Sequence, residues 1–143
     1  MAKLQKSIVI KAPVEKVFSY MSDPTHLPDI WPSMVEVKDV KPSPAGGSNF
    51  GWVYKMAGMH IDGASETTEY LPNQRQVTQS TKGIQSKFTW TYQPDPGGVK
   101  LTVEVEYTVP VPVLGKVAEA VIVRQNEGEA ETLLANLKAR MES

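Results

Sequence analysis

The stretch VKLTVEVEYTV, from Val99 to Val109, alternates without a break. Leu101, Val103, Val105, Tyr107 and Val109 fall on one side of an extended chain. Lys100, Thr102, Glu104, Glu106 and Thr108 fall on the other. Successive side chains of a strand point to opposite faces, so this segment must have one dry face and one wet face. A dry face needs a covering layer. The pattern therefore predicts an antiparallel sheet, solvated on one side and packed against something on the other.

The rest of the chain supplies the partners. SIVIKA reads as a first strand, with Ile8, Ile10 and Ala12 alternating with Val9 and Lys11. Pro13 opens a helix, PVEKVFSYM, whose apolar face is Val14, Val17, Phe18 and Met21. THLPDIWP predicts an irregular helical turn or two, with Trp31 as an anchor. MVEVKDV, NFGWVYKMA, MHIDGASETTEYL, RQVTQSTK and QSKFTWTYQP are further strands, and Gly63 marks a candidate bulge in the third. DPGG turns the chain into the segment quoted first. Pro110 and Pro112 end the strands, and a helical pattern runs from about Val113 to Met141. The expected fold is α+β, with a strand, short helices, six consecutive strands and a long C-terminal helix on one sheet face. At 143 residues, one domain spanning 1–143 is expected.

The large rings cluster on strand faces. Phe50, Trp52, Tyr54 and Met56 share one face, and Phe88, Trp90 and Tyr92 share another. A two-residue turn at Ala57–Gly58 or Gly58–Met59 puts Met59, Ile61 and Gly63 on the face of Trp52 and sends His60 and Asp62 to solvent. A three-residue turn reverses this. Val77, Gln79 and Thr81 share the inward face if their strand is regular. In the helix, Leu114, Val117, Ala118, Val121 and Gln125 form one stripe with Ile122 at its flank, and Ala130, Leu133, Leu134, Leu137 and Met141 form another. The two differ by roughly 150° around the axis, which predicts a bend or a change of partner near Asn126 to Gly128. Gln125 and Gly128 toward the sheet would leave the core incompletely filled. Such a ring-rich face is either a packed core or the wall of a small-molecule pocket.

Composition removes several classes. Lys and Arg total 15 against 16 Asp and Glu, with no like-charge run, so no nucleic-acid footprint is expected. The chain has no Cys, which excludes disulfides and thiolate chemistry and fits a reducing compartment. MAKLQKSIVIKAP lacks a long apolar run before a cleavage site, and no segment is apolar enough to cross a bilayer. The expectation is a cytoplasmic protein without stable membrane insertion. There is no G-x-S-x-G, Walker or G-x-G-x-x-G pattern, and no metal or other cofactor is expected. His26 and His60 are the only histidines; Asp23, His26 and Asp29 lack a convincing metal-binding scaffold. Tyr54, Tyr92, Tyr107, Glu66 and Glu69 are the candidate proton donors and acceptors for any acid–base chemistry.

SIVIKAPVEKVFSYMSDPTHLPDIWP resembles the opening of SRPBCC proteins, also called START-like or helix-grip proteins. ETTEYLPNQRQV, KFTWTYQPDPGGVKLTVEVEYTVP and VRQNEGEAETLLANLKARMES are similar to later segments, most of all in the polyketide cyclase/dehydrase and lipid-transport branch. The resemblance implies a seven-stranded antiparallel sheet wrapped around the C-terminal helix, with a cavity between them opening near the small N-terminal helices. It implies lipids, polyketides, quinones or similar hydrophobic molecules as ligands. The expected cavity lining is Phe50, Trp52, Tyr54, Met56, Gln79, Phe88, Trp90, Tyr92, Val103, Val105 and Tyr107 from the strands, with Val117, Val121 and Gln125 from the helix. The resemblance leaves three functions open: a carrier or sequestering protein, a cyclase, aromatase or dehydratase, and a protein-interaction module with a filled core. Arg124, Asn126 and Glu127 are read as residues that hold the helix to the sheet.

Overall fold

In the computed structural model, which describes residues 1–143, the chain begins with β1 (Ala2–Ile10), α1 (Val14–Ser22), a 3-10 turn (Pro24–His26) and α2 (Leu27–Ile30). There follow β2 (Met34–Pro42), β3 (Ser48–Met56), β4 (Met59–Leu71), β5 (Arg75–Lys82), β6 (Ser86–Asp95) and β7 (Gly98–Tyr107). α3 (Val111–Leu114) and α4 (Glu119–Met141) complete it. The strands form one antiparallel sheet in the order β1-β7-β6-β5-β4-β3-β2. Consecutive strands pair from β2 to β7, and β1 returns to the free edge of β7.

β7 lies second from one edge of the sheet, between β1 and β6. Val99, Leu101, Val103, Val105 and Tyr107 are all buried, whereas Lys100, Glu104 and Glu106 are exposed. β1 is longer than its apolar pattern suggests, because Ala2 to Ile10 pair in register with Tyr107 to Val99. Backbone pairing extends a strand past the residues whose side chains announce it.

The turn between β3 and β4 has two residues. Ala57 and Gly58 both take positive φ, 51° and 78°, as a type I′ hairpin turn requires. Met56 then faces Met59, Tyr54 faces Ile61 and Trp52 faces Gly63. His60 and Asp62 are exposed. No bulge falls at Gly63, where β4 keeps regular register with β3. The irregularities lie in the β4–β5 pairing, with Thr81 of β5 extra opposite Ala64–Ser65 and Thr68 of β4 extra opposite Val77–Thr78. Bulges add local twist and bend, which lets a sheet curl around a helix.

Two further expectations need correction. The first concerns β5. Gln76 lies opposite Trp90 and Thr78 opposite Phe88, so Gln76 and Thr78 share the inner face. Val77, Gln79 and Thr81 take the outer one. Val77 is buried, but opposite Glu69 and Thr89 and outside the main core. The irregular β5–β6 connection conceals this, since a face can be counted across a hairpin only when its turn is tight.

The second concerns the C-terminal helix. The chain breaks at Gly115–Ala118, and α4 then runs through Asn126–Gly128 without interruption. The helix is therefore not broken near Gly128, which faces open space. Ile122, Asn126, Ala130, Leu133, Leu137 and Met141 succeed one another every three or four residues. They form one continuous stripe against the sheet. Ile122 and Leu137 are fully buried, whereas Val121 is 42% exposed. Small and polar residues do face the sheet, but they are Asn126 and Ala130 and not Gln125 and Gly128.

Candidate functional site

Between the curled sheet and α4 lies a cavity of about 130 Å³. A single water needs about 10–15 Å³ on that scale, so the space is far larger than a packing defect. Its floor is the inner sheet face: Phe50, Trp52, Tyr54 and Met56 of β3, Phe88 and Trp90 of β6, and Val103, Val105 and Tyr107 of β7. α4 contributes Asn126, Ala130 and Leu133. Met21, Ser22, Leu27 and Trp31 line it from the N-terminal helical segments.

The rings are arranged as a frame. Phe88 and Trp90 lie nearly parallel, 15° apart with centroids at 6.3 Å. Trp31 stands edge-on to both Tyr54 and Phe88, each at 5.4 Å. Edge-to-face pairs hold one another's orientation, so these walls are stiff. The Trp52 indole lies across Gly63, and its N–H donates to Ser65 Oγ at 2.9 Å.

Two polar clusters interrupt the apolar wall. At one, Asn126 bridges two strands. Tyr54 O–H donates to Asn126 Oδ1 at 2.9 Å, and Asn126 Nδ2 donates to Tyr107 Oη at 3.1 Å. An amide facing two phenols offers one acceptor and one donor, so one phenol always keeps an unspent O–H. In this orientation it is Tyr107. At the other cluster, Tyr92 O–H donates to Gln76 Oε1 at 2.7 Å, and Gln76 Nε2 donates to Ser22 Oγ at 2.9 Å. Ser22 Oγ in turn donates to Phe18 O at 2.7 Å and accepts from Tyr70 O–H at 3.2 Å. This second chain ties α1 to β4, β5 and β6.

Several expected positions lie elsewhere. Gln79 is exposed on the outer sheet face, opposite Glu66 and Lys87. Tyr92 is buried behind the wall and meets the cavity only through Gln76. Val121 and Gln125 are exposed on the far side of α4, and Val117 lies in the break before it. Sequence reasoning missed Trp31, Gln76, Thr78, Asn126, Ala130 and Leu133 as lining. Gln76 and Thr78 are placed inside only by the β5–β6 register, which the irregular connection between those strands hides from the sequence. Ala130 belongs to the Leu133 and Leu137 stripe and Asn126 continues it upstream, but which stripe meets the sheet is set by tertiary packing. Of the trio Arg124, Asn126 and Glu127, Asn126 makes side-chain hydrogen bonds from helix to sheet, whereas Arg124 is exposed.

The lining contains no Asp, Glu, Lys, Arg or His. Glu66 is exposed, and Glu69 pairs with Arg75 at 2.9 Å. The His26 ring stacks on Tyr20 at 4.1 Å, with Nδ1 2.8 Å from Tyr20 O. The only titratable groups on the wall are phenols. Burial pushes the phenols of Tyr54, Tyr92 and Tyr107 above their ordinary value, and the Glu129 carboxylate adds to the effect at Tyr54. Below pH ~10 both folded and unfolded chains keep these protons. Above it the unfolded chain releases them while the folded protein holds them. Stability should therefore fall with rising pH, by about 1.4 kcal/mol per pH unit for each of Tyr54 and Tyr92. Urea midpoints measured from pH 9 to 12 check this, and Tyr92→Phe should make the decline shallower.

A seven-stranded antiparallel sheet curled around a C-terminal helix, with a cavity between them, defines a helix-grip protein. The family model described as polyketide cyclase / dehydrase and lipid transport matches residues 1–142, and the chain belongs to that family. Among solved structures, the chain is similar to a START superfamily protein from Mycobacterium smegmatis, at 17% identity and a TM-score of 0.81, covering 98% of this chain and 97% of that one. TTHA0849 from Thermus thermophilus is similar at 21% identity and a TM-score of 0.78, with the same coverage. The di-domain ARO/CYC BexL, from the BE-7585A biosynthetic pathway, is similar at 18% identity and a TM-score of 0.74. That match covers 99% of this chain and 50% of the di-domain protein. At these identities the likeness is one of fold. No curated protein sequence matches the chain.

Proposed function

We propose that the protein binds a small hydrophobic molecule in this cavity and carries or sequesters it without changing it. The observation that carries this reading is a ring-walled space of about 130 Å³ with no charged side chain on its surface. Apolar walls with a few fixed hydrogen-bonding groups are the usual make-up of a small-molecule site. Phe50, Trp52, Phe88 and Trp90 supply apolar contact, and Tyr107 and Asn126 orient the ligand. The family's description as cyclase, dehydrase and lipid transport is compatible with such a cargo. An interaction module with a filled core is disfavoured by the same cavity.

The cyclase reading uses the same space and differs in its chemistry. Proton transfer at neutral pH is most efficient from groups whose pKa lies near the operating pH. The wall offers only phenols that are raised above their ordinary value. That favours binding over turnover.

The test is native mass spectrometry of the purified protein, followed by solvent extraction. A carrier should release a hydrophobic molecule and return it with unchanged mass after incubation. A product lighter by one water would establish the cyclase or dehydratase reading instead. Trp90→Ala should weaken retention at least about tenfold, because burying a large apolar side chain is worth roughly 1.5–3 kcal/mol. Urea titration of the same variant separates lost affinity from lost fold.

A further inference from the structure

We infer that the cavity selects for an uncharged ligand carrying a hydrogen-bond-accepting oxygen, held by the Tyr107 O–H, and that it excludes carboxylates and phosphates from the interior. This rests on the binding proposed above and narrows it to a chemical class.

Three observations support the selection. First, none of the lining side chains is a cation that could pair with a buried anion. Moving a carboxylate from water into low dielectric without a partner is strongly unfavourable, so the neutral member of any matched pair wins. Second, the fixed charges beside the Tyr54–Asn126–Tyr107 cluster are negative. Glu129 bears on Tyr54, and Glu127 and Glu119 bear on Tyr107. Glu129 is held in place by Ser33 N, which donates to its Oε1 at 2.8 Å. These carboxylates would repel an anionic group at that end of the cavity. Third, the same cluster has a proton donor to spare. Tyr107 Oη accepts from Asn126, and its own O–H has no acceptor in the protein. A phenol with a raised pKa stays protonated, so it donates and does not act as a base. A carbonyl, ester, ether or hydroxyl oxygen fits that position.

The selection makes a distinction within hydrophobic molecules. A quinone, a neutral polyketide or a fatty alcohol satisfies the cluster. A free carboxylate or a phospholipid headgroup stays in water.

The experiment uses a matched pair of probes, methyl naphthoate and naphthoate, with methylnaphthalene as the hydrocarbon reference, titrated at pH 7 against the intrinsic Trp fluorescence of the full chain. The ester should bind at least about tenfold more tightly than the carboxylate. Tyr107→Phe should weaken the ester roughly three- to tenfold and leave methylnaphthalene unchanged. Equal affinity for ester and carboxylate overturns the charge selection while leaving the proposed binding intact. An ester affinity unmoved by Tyr107→Phe overturns the role of that hydroxyl. Failure of all three probes to bind overturns the binding reading and this inference with it.

Discussion

Leu137→Ala should destabilise the protein by about 2–5 kcal/mol, whereas Val121→Ala on the same helix should cost less than about 0.5 kcal/mol. Leu137 is 0% exposed and belongs to the main core, yet it does not line the cavity. Truncating it removes apolar contact and leaves a void that rigid neighbours cannot fill, and both terms add. Val121 is 42% exposed and loses little. At roughly 3 °C per kcal/mol for a chain of this size, the Leu137 variant should melt about 6–15 °C lower. The pair reads out the rotation of α4. Comparable losses at the two sites would place the helix on its other stripe, with Asn126 turned from the sheet and the whole site description wrong.

Gly63→Val should lower both stability and ligand retention. Gly63 sits beneath the Trp52 indole, opposite it in the β3–β4 register. A Cβ there would overlap the Trp52 ring and lie 2.7 Å from the carbonyl of Lys82. The carbonyl is backbone and cannot swing aside. The indole could move, but only by leaving its bond to Ser65 and entering the cavity. Overpacking of this kind costs about 1–3 kcal/mol, and sometimes more. A denaturation midpoint and Trp fluorescence would report the strain, and probe titration would report the lost volume. A variant with wild-type stability and affinity would show that Trp52 is not pinned there. The glycine's role is close approach of ring to backbone, for which a hydrogen is the only side chain that fits.

The strands were legible because their signal is local. Alternation from Val99 to Tyr107 needs no partner to be recognised, and neither does the helical spacing of Val14, Val17, Phe18 and Met21. The ring face of β3 was equally plain, and a two-residue turn with Gly58 carried it into β4. Where a connection was irregular, the inference stopped. Val77 looked like the inward residue of β5 because it is the apolar one. Its pairing with Thr89 put Gln76 and Thr78 inside instead.

The helix failed for a different reason. Its sequence carries two apolar stripes, one through Val117 and Val121 and one through Leu133 and Leu137. Periodicity ranks stripes by their apolar content, and that preferred Val121 over a stripe interrupted by Asn126 and Ala130. Those two residues are small or polar because they face a cavity rather than a packed wall. A site that departs from core chemistry weakens the pattern by which a core is found.

The amino-acid order by itself determined which segments are strands and helices, which strand faces carry the rings, and that a helix must cover them. These follow from side-chain periodicity, which acts over a few neighbouring residues. Only the tertiary structure decided which face of α4 meets the sheet, which face of β5 turns inward, and that the rings frame a space instead of filling it. Those depend on register, bulges and the joint packing of residues far apart in the chain, and no local pattern encodes them.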